Sequence, residues 1–290
     1  GDDTPIAILS DKYRPLSHFF RQKFSQVTNP PIDSIREQSR MSLKTRFGNL
    51  RDVLDSNSYQ ESVFVMDSPV VTNSIFNKML KFGKEELVII DCSFSTNENA
   101  LKENIRRIQG EAEEAVLSGK QHIVLTDKYT DETRVSIPMI LATAAVHSFL
   151  TRKGIRSFIS LHVQSAECLD THYFAVLIGV GATTVNPYLA QECIRERHEK
   201  GLFKDYTYEE CVERYKKAVD QGLLKIMAKL GISVVSAYRG GFNFEVVGLS
   251  RSMVNEYFIG VQSRISGIGL SGVEYKIKEL HKYAYSGDIA

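Results

Sequence analysis

Residues 87–91 read Leu-Val-Ile-Ile-Asp, and residues 122–127 read His-Ile-Val-Leu-Thr-Asp. Both are short runs of β-branched and aliphatic residues that end at a polar turn residue. Such runs are typical of strands that are buried on both faces of a parallel sheet. They decide the fold class because the same pattern recurs along the chain, at residues 63–66, 158–163, 182–185 and 232–235.

Stretches with helical periodicity separate these runs, at residues 99–118, 137–152, 166–179 and 208–230. Most of them stop at a glycine, which is a common C-terminal signal of a helix. The chain therefore reads as roughly six strand–helix units, which predicts an α/β domain with parallel strands. Six strands are too few for a closed eight-stranded barrel, so an incomplete (βα) barrel and an open sheet both fit the pattern.

The first 60 residues read differently from the rest. The sequence Gln-Val-Thr-Asn-Pro-Pro precedes Asp33, and its two prolines interrupt any regular helix. Asp33 or Ser34 can then cap a new helix. We expect a helical and loop segment over residues 1–60 that packs on a barrel-like domain over residues 61–290.

Composition excludes several classes of protein. Among 290 residues, 36 Lys and Arg balance 35 Asp and Glu, so the chain lacks the basic excess of a nucleic-acid binder. The longest apolar runs are shorter than the ~20 residues of a membrane span. Four widely spaced cysteines argue against a zinc site or a disulfide framework and favour a reducing, cytoplasmic compartment. The first residue is Gly rather than Met, so we expect a piece of a longer protein.

Polar residues follow several predicted strands, and the carboxyl ends of parallel strands are where α/β proteins bind ligands. They could form a site there, or they could cap helices and form turns, which is the commoner role of Asp and Asn. The residues are Asp67, Asp91, Asp127 and Asn186.

Other chemical signals are weak. The sequence Arg239-Gly-Gly241 follows a predicted strand and could approach a phosphate, although it lacks the spacing of a phosphate-binding loop. Asp33 and Arg36 are three residues apart on one predicted helix and can form an ion pair. No motif supplies a nucleophile with its base or a metal site. We therefore expect no catalytic residue, cofactor or metal in this chain.

Several segments closely resemble the central domain of the glutamate synthase large subunit. They appear in the order of that domain and together cover nearly the whole chain. They are Gln26-Val-Thr-Asn-Pro-Pro-Ile-Asp-Ser-Ile-Arg-Glu37, Val135-Ser-Ile-Pro-Met-Ile-Leu-Ala-Thr-Ala-Ala-Val-His147, His172-Tyr-Phe-Ala-Val-Leu-Ile-Gly-Val-Gly-Ala182, Lys225-Ile-Met-Ala-Lys-Leu-Gly-Ile-Ser233 and Ser236-Ala-Tyr-Arg-Gly240.

The resemblance implies a parent enzyme that converts glutamine, 2-oxoglutarate and reductant into two glutamates. An amidotransferase domain releases ammonia, which passes through an internal tunnel to a flavin domain that uses FMN and an iron–sulfur cluster. The central domain, an incomplete barrel, would lie between these two domains as a non-catalytic scaffold and tunnel wall. A small reductase subunit is a further partner that the resemblance suggests.

The same resemblance suggests interdomain positions. Thr28, Asn29 and Pro30 suit a tunnel wall, although an ordinary helix entry explains them equally well. Asp33 and Arg36 could contact a neighbouring domain, and the segment Tyr238-Arg239-Gly240 could face the flavin domain or simply form a tight turn. Two other functions stay open, namely an independent barrel oxidoreductase that binds FMN or a phosphate ligand and a stand-alone binding protein.

Overall fold

The computed structural model describes residues 5–31, 33–50, 63–97 and 100–286. Short 3-10 turns lie at Ala7–Leu9, Leu16–Phe19 and Arg156–Phe158. The helices are α1 (Ser34–Arg40), α2 (Asn73–Phe82), α3 (Leu101–Leu117), α4 (Met139–Arg152), α5 (Thr171–Gly179), α6 (Tyr188–Glu199), α7 (Tyr208–Leu230), α8 (Val235–Tyr238), α9 (Arg251–Tyr257) and α10 (Leu270–Ala284). The strands are β1 (Phe20–Gln22), β2 (Thr45–Phe47), β3 (Phe64–Met66), β4 (Leu87–Asp91), β5 (Ser93–Ser95), β6 (His122–Thr126), β7 (Arg134–Ser136), β8 (Ser160–Gln164), β9 (Thr184–Asn186), β10 (Phe244–Leu249) and β11 (Gln262–Ile268).

The core of the fold is a four-stranded parallel sheet in the order β4-β6-β8-β9. One row of the register joins Ile90, Leu125, Val163 and Val185 across all four strands. These side chains are fully buried, as expected for strands that are covered on both faces. Val70 adds an isolated parallel bridge to Val185 at one edge. The sheet is open, so the prediction of α/β architecture with parallel strands and an incomplete barrel is confirmed.

Two helices pass through the middle of the molecule and cover the sheet. Helix α4 follows Pro138 and is buried along most of its length, packed against α3, α5 and α9. Helix α5 is buried from Tyr173 to Gly179 and packs against α7. Because both helices are apolar on nearly all sides, they need neighbours on all sides, which the surrounding helices and strands provide. No described helix is both long and apolar enough to cross a membrane.

The strand predicted at residues 232–235 is wrong. Helix α7 ends at Gly231 in a left-handed conformation, Val234 makes only an isolated bridge to Ser42, and Val235 already begins α8. Among the described residues, the apolar run at residues 232–235 pairs through its backbone only with Ser42, which lies outside the main sheet. Without a neighbouring strand to continue this pairing, the run does not form a strand.

The run at residues 63–66 does form a strand, but not one of the parallel sheet. Strand β3 pairs antiparallel with β2, and Phe64 and Val65 are more than half exposed. The chain turns after β3, and Val70 takes the edge position in the sheet instead. Sequence runs of this length do not specify which strand they pair with.

A second sheet, in the order β1-β10-β11, was not apparent from the sequence. Strand β1 pairs antiparallel with β10, and β10 pairs parallel with β11. At Gly267 an added Cβ would lie 2.1 Å from the Gly248 carbonyl oxygen, so only glycine allows the approach of these strands. The N-terminal segment thus adds a strand with the buried Phe20 as well as helix α1. Its residues 51–60 lie outside the described part, and the boundary at residue 60 stays a prediction.

Candidate functional site

The carboxyl edge of the parallel sheet carries a continuous row of hydrogen-bonded side chains. Thr126 Oγ1 donates to Gln164 Oε1 at 2.8 Å, and Gln164 Nε2 donates to Asn186 Oδ1 at 3.2 Å. Asn186 Nδ2 then donates to Asn73 Oδ1 at 2.9 Å. These residues come from the ends of β6, β8 and β9 and from the start of α2. We call this row the amide ladder.

Gln191 on α6 closes the amide ladder. Its Nε2 donates to Asn73 Oδ1 at 3.0 Å, and its Oε1 accepts from the Asn73 backbone N–H at 2.7 Å. Asn186 Nδ2 also reaches the Val71 carbonyl at 3.0 Å. Asn186 and Gln191 are each only 1% exposed. The amide groups therefore use their donors and acceptors on one another, which is what buried amides require.

Asp127 lies beside the ladder, immediately after β6. Its Oδ2 accepts from the Ala166 backbone N–H at 2.8 Å and from Ser165 Oγ at 3.4 Å. Burial, followed by the nearby Glu167 carboxyl, raises the pKa of Asp127 to about 7. Asp127 is only 3% exposed, so ionisation would place a charge in a region of low dielectric constant. Burial therefore favours the neutral form of the carboxyl group.

Glu167 was missed by sequence reasoning. Its Oε2 accepts from Tyr173 Oη at 2.5 Å and from the Met139 backbone N–H at 2.8 Å. It therefore caps the start of α4, where a carboxylate satisfies an orphan N–H and faces the positive end of the helix dipole. Burial raises the pKa of Glu167 as well. No local pattern in the sequence distinguishes Glu167 from a surface residue.

Of the remaining strand-end candidates, Asp91 lies at the same edge, opposite Thr126, but is bonded to other partners. Asp91 Oδ2 accepts from Arg134 Nη2 at 2.6 Å, and its Oδ1 accepts from Ser93 Oγ at 2.7 Å. This carboxylate thus stabilises the antiparallel pair of β5 and β7. Asp67 is exposed and follows β3, which is not in the parallel sheet, so the structure does not bring it to the edge.

The loop at Thr28, Asn29 and Pro30 lies next to the α1–α7 contact. Asn29 adopts a left-handed backbone with a φ of 53°, and Pro30 lines a cavity of about 460 Å³. Thr28 and Asn29 are exposed. The rigid Pro30 beside an open cavity is compatible with the wall of an ammonia tunnel. The exposed Thr28 and Asn29 are compatible with a contact to another domain. Both roles stay predictions.

Asp33 caps helix α1. Its Oδ1 accepts from the backbone N–H groups of Ile35 at 3.1 Å and Arg36 at 2.8 Å. Arg36 Nε also lies 3.4 Å from Asp33 Oδ2, so the local ion pair exists. The Glu37 carboxyl pairs with Lys225 on α7 and ties this helix to the rest of the domain. A contact of Asp33 or Arg36 with a neighbouring domain stays a prediction.

The segment Tyr238-Arg239-Gly240 is directed into the domain. Tyr238 is 1% exposed, and Arg239 donates to the carbonyls of Ala182 at 2.9 Å and Thr183 at 3.2 Å. Gly240 has a φ of 67°, as the tight-turn interpretation requires. Because this segment follows a helical turn and its guanidinium binds carbonyls, the proposed phosphate loop at 239–241 is not formed.

A second half-buried arginine acts with Arg239 on the loop that precedes β9. Arg156 donates to His147 Nδ1 at 3.0 Å, to the Ile159 carbonyl at 2.6 Å and to the Gly181 carbonyl at 2.8 Å. Burial, then Arg156 and Arg239, lowers the pKa of His147 to about 3. His147 is therefore a neutral hydrogen-bond acceptor for Arg156.

The four cysteines do not form an iron–sulfur site. Cys92 and Cys168 are fully buried, and burial raises the pKa of both thiols. Cys193 is exposed and Cys211 half-buried on separate helices. Within the described part of the chain, no three His, Cys, Asp or Glu side chains are grouped to hold a metal ion. The two buried thiols are therefore protonated, and a protonated thiol neither acts as a nucleophile nor binds a metal ion.

Comparison with known proteins gives one family. A family profile described as glutamate synthase central domain matches residues 1–250. The chain is 55% identical over its whole length to the glutamate synthase [NADPH] large chain of Azospirillum brasilense and covers 19% of that protein. It is 38% identical over 99% of its length to the glutamate synthase [NADPH] large chain of Bacillus subtilis, again covering 19%. A ferredoxin-dependent glutamate synthase of Pyropia yezoensis is 37% identical over 99% of this chain and is covered to 19%.

The chain thus spans about a fifth of the length of these relatives. The segments that carry the sequence resemblance lie inside the matched range, and the open parallel sheet has the architecture expected from them. The chain belongs to the glutamate synthase central domain family.

Proposed function

We propose that this chain is a non-catalytic spacer within a glutamate synthase. In the proposed parent, an amidotransferase domain hydrolyses glutamine and an FMN domain with an iron–sulfur cluster makes glutamate from 2-oxoglutarate. The central domain holds these two sites apart and forms part of the wall along which ammonia passes. A small reductase subunit and a cytoplasmic location belong to the same proposal. Its relatives include NADPH- and ferredoxin-dependent enzymes by name, so the electron donor is left open.

The observation that carries this proposal is the filled carboxyl edge of the sheet. In α/β enzymes that edge is open and presents reactive groups to a ligand. Here Asn186 and Gln191 are buried and bonded to each other through Asn73, and Asp91 is held by Arg134. Asn186 and Gln191 therefore use their hydrogen-bonding groups on neighbouring side chains and the backbone, which supports a structural role for the amide ladder.

The inactivity of the chain by itself is a direct test. We expect the purified 290-residue chain to show neither glutaminase nor glutamate synthase turnover above a buffer control, because the residues of both active sites lie elsewhere in the parent. Appreciable turnover, or a stoichiometric bound flavin with its absorbance near about 450 nm, would instead favour an independent barrel oxidoreductase.

The proposed tunnel role must be tested in the full-length enzyme. Thr28 is exposed beside the Pro30 cavity, so T28F adds bulk at the proposed wall without disturbing the core. We expect glutamine-dependent glutamate formation to fall several-fold, while glutamine hydrolysis and the reaction with added ammonia stay near wild type. Such uncoupling is what a blocked conduit produces.

The matched control is T151F, which adds the same ring at an exposed threonine near the end of α4. Both reactions should remain at wild-type levels in this variant. If T28F leaves coupling intact, or lowers the glutamine and ammonia reactions equally, Thr28 does not line an ammonia path.

A further inference from the structure

A large cavity lies on the face formed by the N-terminal segment and the second sheet. Its volume is about 650 Å³, which is in the range of small-molecule sites. Basic side chains line much of it, and Phe20 and Phe24 provide apolar wall. The basic residues are Arg14, His18, Arg21 and His172.

Two of these side chains are the guanidinium groups of Arg14 and Arg21. Within the described ranges, neither Arg14 nor Arg21 forms an ion pair. Arg14 Nε donates to Ser10 Oγ at 3.1 Å, which orients its guanidinium and leaves the Nη groups for another acceptor. An oriented guanidinium is well suited to carboxylate and phosphate oxygens.

Among the described residues that line the cavity, Glu245 carries the carboxylate, and that carboxylate is already paired. Glu245 lies opposite Arg21 in the β1–β10 register, but its Oε2 accepts from Arg264 Nε at 2.8 Å. Arg264 therefore offsets the charge of Glu245. Asp170, which acts electrostatically on His18, is also engaged, because its Oδ1 caps α5 through the Tyr173 N–H at 2.9 Å.

The wall also has one oriented imidazole and one exposed aromatic ring. His172 Nε2 donates to the Ser17 carbonyl at 2.9 Å, which holds the imidazole in one orientation at the start of α5. Phe24 is 86% exposed and stands at the cavity margin, where it can contact the non-polar part of a ligand. The cavity therefore combines unpaired positive charge with an apolar contact.

We propose that this cavity binds a small organic oxyanion, either a carboxylate or a phosphate ester, through Arg14 and Arg21. The ligand's charged group contacts the two guanidinium groups, and its carbon skeleton lies towards Phe20 and Phe24. The site is separate from the carboxyl edge of the main sheet and does not depend on the proposed tunnel.

The test uses the full-length protein with inorganic phosphate as the probe, followed by hydrogen–deuterium exchange of peptides that cover residues 10–24. We expect saturable slowing of exchange in these peptides, which sodium chloride at equal ionic strength does not produce. In R14Q/R21Q the half-saturating phosphate concentration should rise at least about tenfold, since both charge-assisted contacts are lost.

Two further variants make the result decisive. R21Q alters only an exposed side chain and guards against misfolding of the double variant, whereas R251Q removes an exposed arginine of α9 that does not line the cavity. R21Q should weaken the phosphate effect, and R251Q should leave it unchanged. An absent effect, or one that is equal in R14Q/R21Q, overturns the proposal.

Asp2 and Asp3 lie outside the described residues and precede Pro5 in the sequence, so they are the alternative source of carboxylate that the test must separate from a ligand. If phosphate slows exchange only after D2N/D3N substitution, these residues occupy the site and the proposal of a separate ligand fails. If wild type and D2N/D3N respond alike, the proposal stands.

Discussion

At the scale of single residues, Asp127 links pH to stability. Its pKa rises from 3.8 to about 7 on folding, so the folded protein keeps a proton that the unfolded chain has already lost between these values. Stability contributed by this group is therefore complete below pH 4 and is lost as pH rises through 7. The effect amounts to at most ~4 kcal/mol.

Substitution by asparagine removes this titration. The free energy of unfolding is measured by urea denaturation of the 290-residue chain at pH 5 to 8. We expect the value for D127N, minus the value for wild type, to increase as pH rises. The control is D131N, because hydrogen bonds from Thr133 lower the pKa of exposed Asp131 from 3.8, so this group does not titrate between pH 5 and 8 and its substitution should leave the pH dependence of wild type unchanged. Parallel pH profiles for D127N and wild type would contradict the raised pKa of Asp127.

Gly181 is a residue whose importance the sequence did not indicate. Its φ is 121°, and an added Cβ would lie 2.3 Å from the ring of His147. We expect G181A to lower the free energy of unfolding by ~3 kcal/mol or more, since it combines backbone strain with a steric clash. G154A is the matched control, because Gly154 has a φ of 72° but open space around it, and should cost about 1–2 kcal/mol. Equal losses would show that the His147 contact is unimportant.

At the scale of elements, Arg239 fixes the loop that leads into β9. Its bonds to the carbonyls of Ala182 and Thr183 connect the end of α8 to the edge of the main sheet. We expect R239A to lower the free energy of unfolding by about 2–4 kcal/mol, because it removes two charge-assisted hydrogen bonds and leaves both carbonyls unpaired. Chemical denaturation measures this loss.

The control for Arg239 is an arginine in an exposed pair. Arg264 pairs with Glu245 while its side chain is 63% exposed, so R264A should change stability by less than ~1 kcal/mol. If R239A is as mild as R264A, the loop before β9 does not depend on Arg239.

At the scale of the whole molecule, one face is unusually apolar. Phe64, Val65 and Phe82 are 55%, 58% and 85% exposed around a cavity of about 220 Å³, and we call them the apolar patch. Buried behind it, His122 Nδ1 lies 3.1 Å from His162 Nε2. Exposed apolar surface of this kind marks an interface. Since the chain is about a fifth of its relatives' length, the rest of the longer polypeptide is the expected cover.

Comparison of the chain with the full-length protein tests this interface. We expect residues 64–82 to exchange deuterium more slowly in the full-length protein. F82S should reduce self-association of the separate chain in sedimentation, whereas L117S, at a 73% exposed leucine on α3, should have little effect. If the apolar patch exchanges equally in both forms, no other part of the polypeptide covers it.

The sequence specified several elements well, for a local reason. The runs at 87–90, 122–125 and 158–163 became β4, β6 and β8 because β-branched residues bounded by turns are stable mainly in a covered sheet. Helices α3, α4 and α7 followed from their periodicity and glycine stops. Only part of the candidate site could be predicted from the sequence. Asp127 and Asn186 were found as strand ends, whereas Glu167, Asn73 and Gln191 carried no local pattern that distinguishes them from surface residues.

What the sequence determined by itself was the strand–helix order, the family resemblance and the lack of a clustered catalytic motif. The tertiary structure alone decided that β3 leaves the parallel sheet, that 232–235 is not a strand and that β1 joins β10. It also brought Asn73 within 3.0 Å of Gln191, which is 118 positions away, and buried Asp127 deeply enough to raise its pKa. The reason is physical, because strand pairing, side-chain satisfaction and desolvation depend on which distant segments meet, and local propensity does not encode that choice.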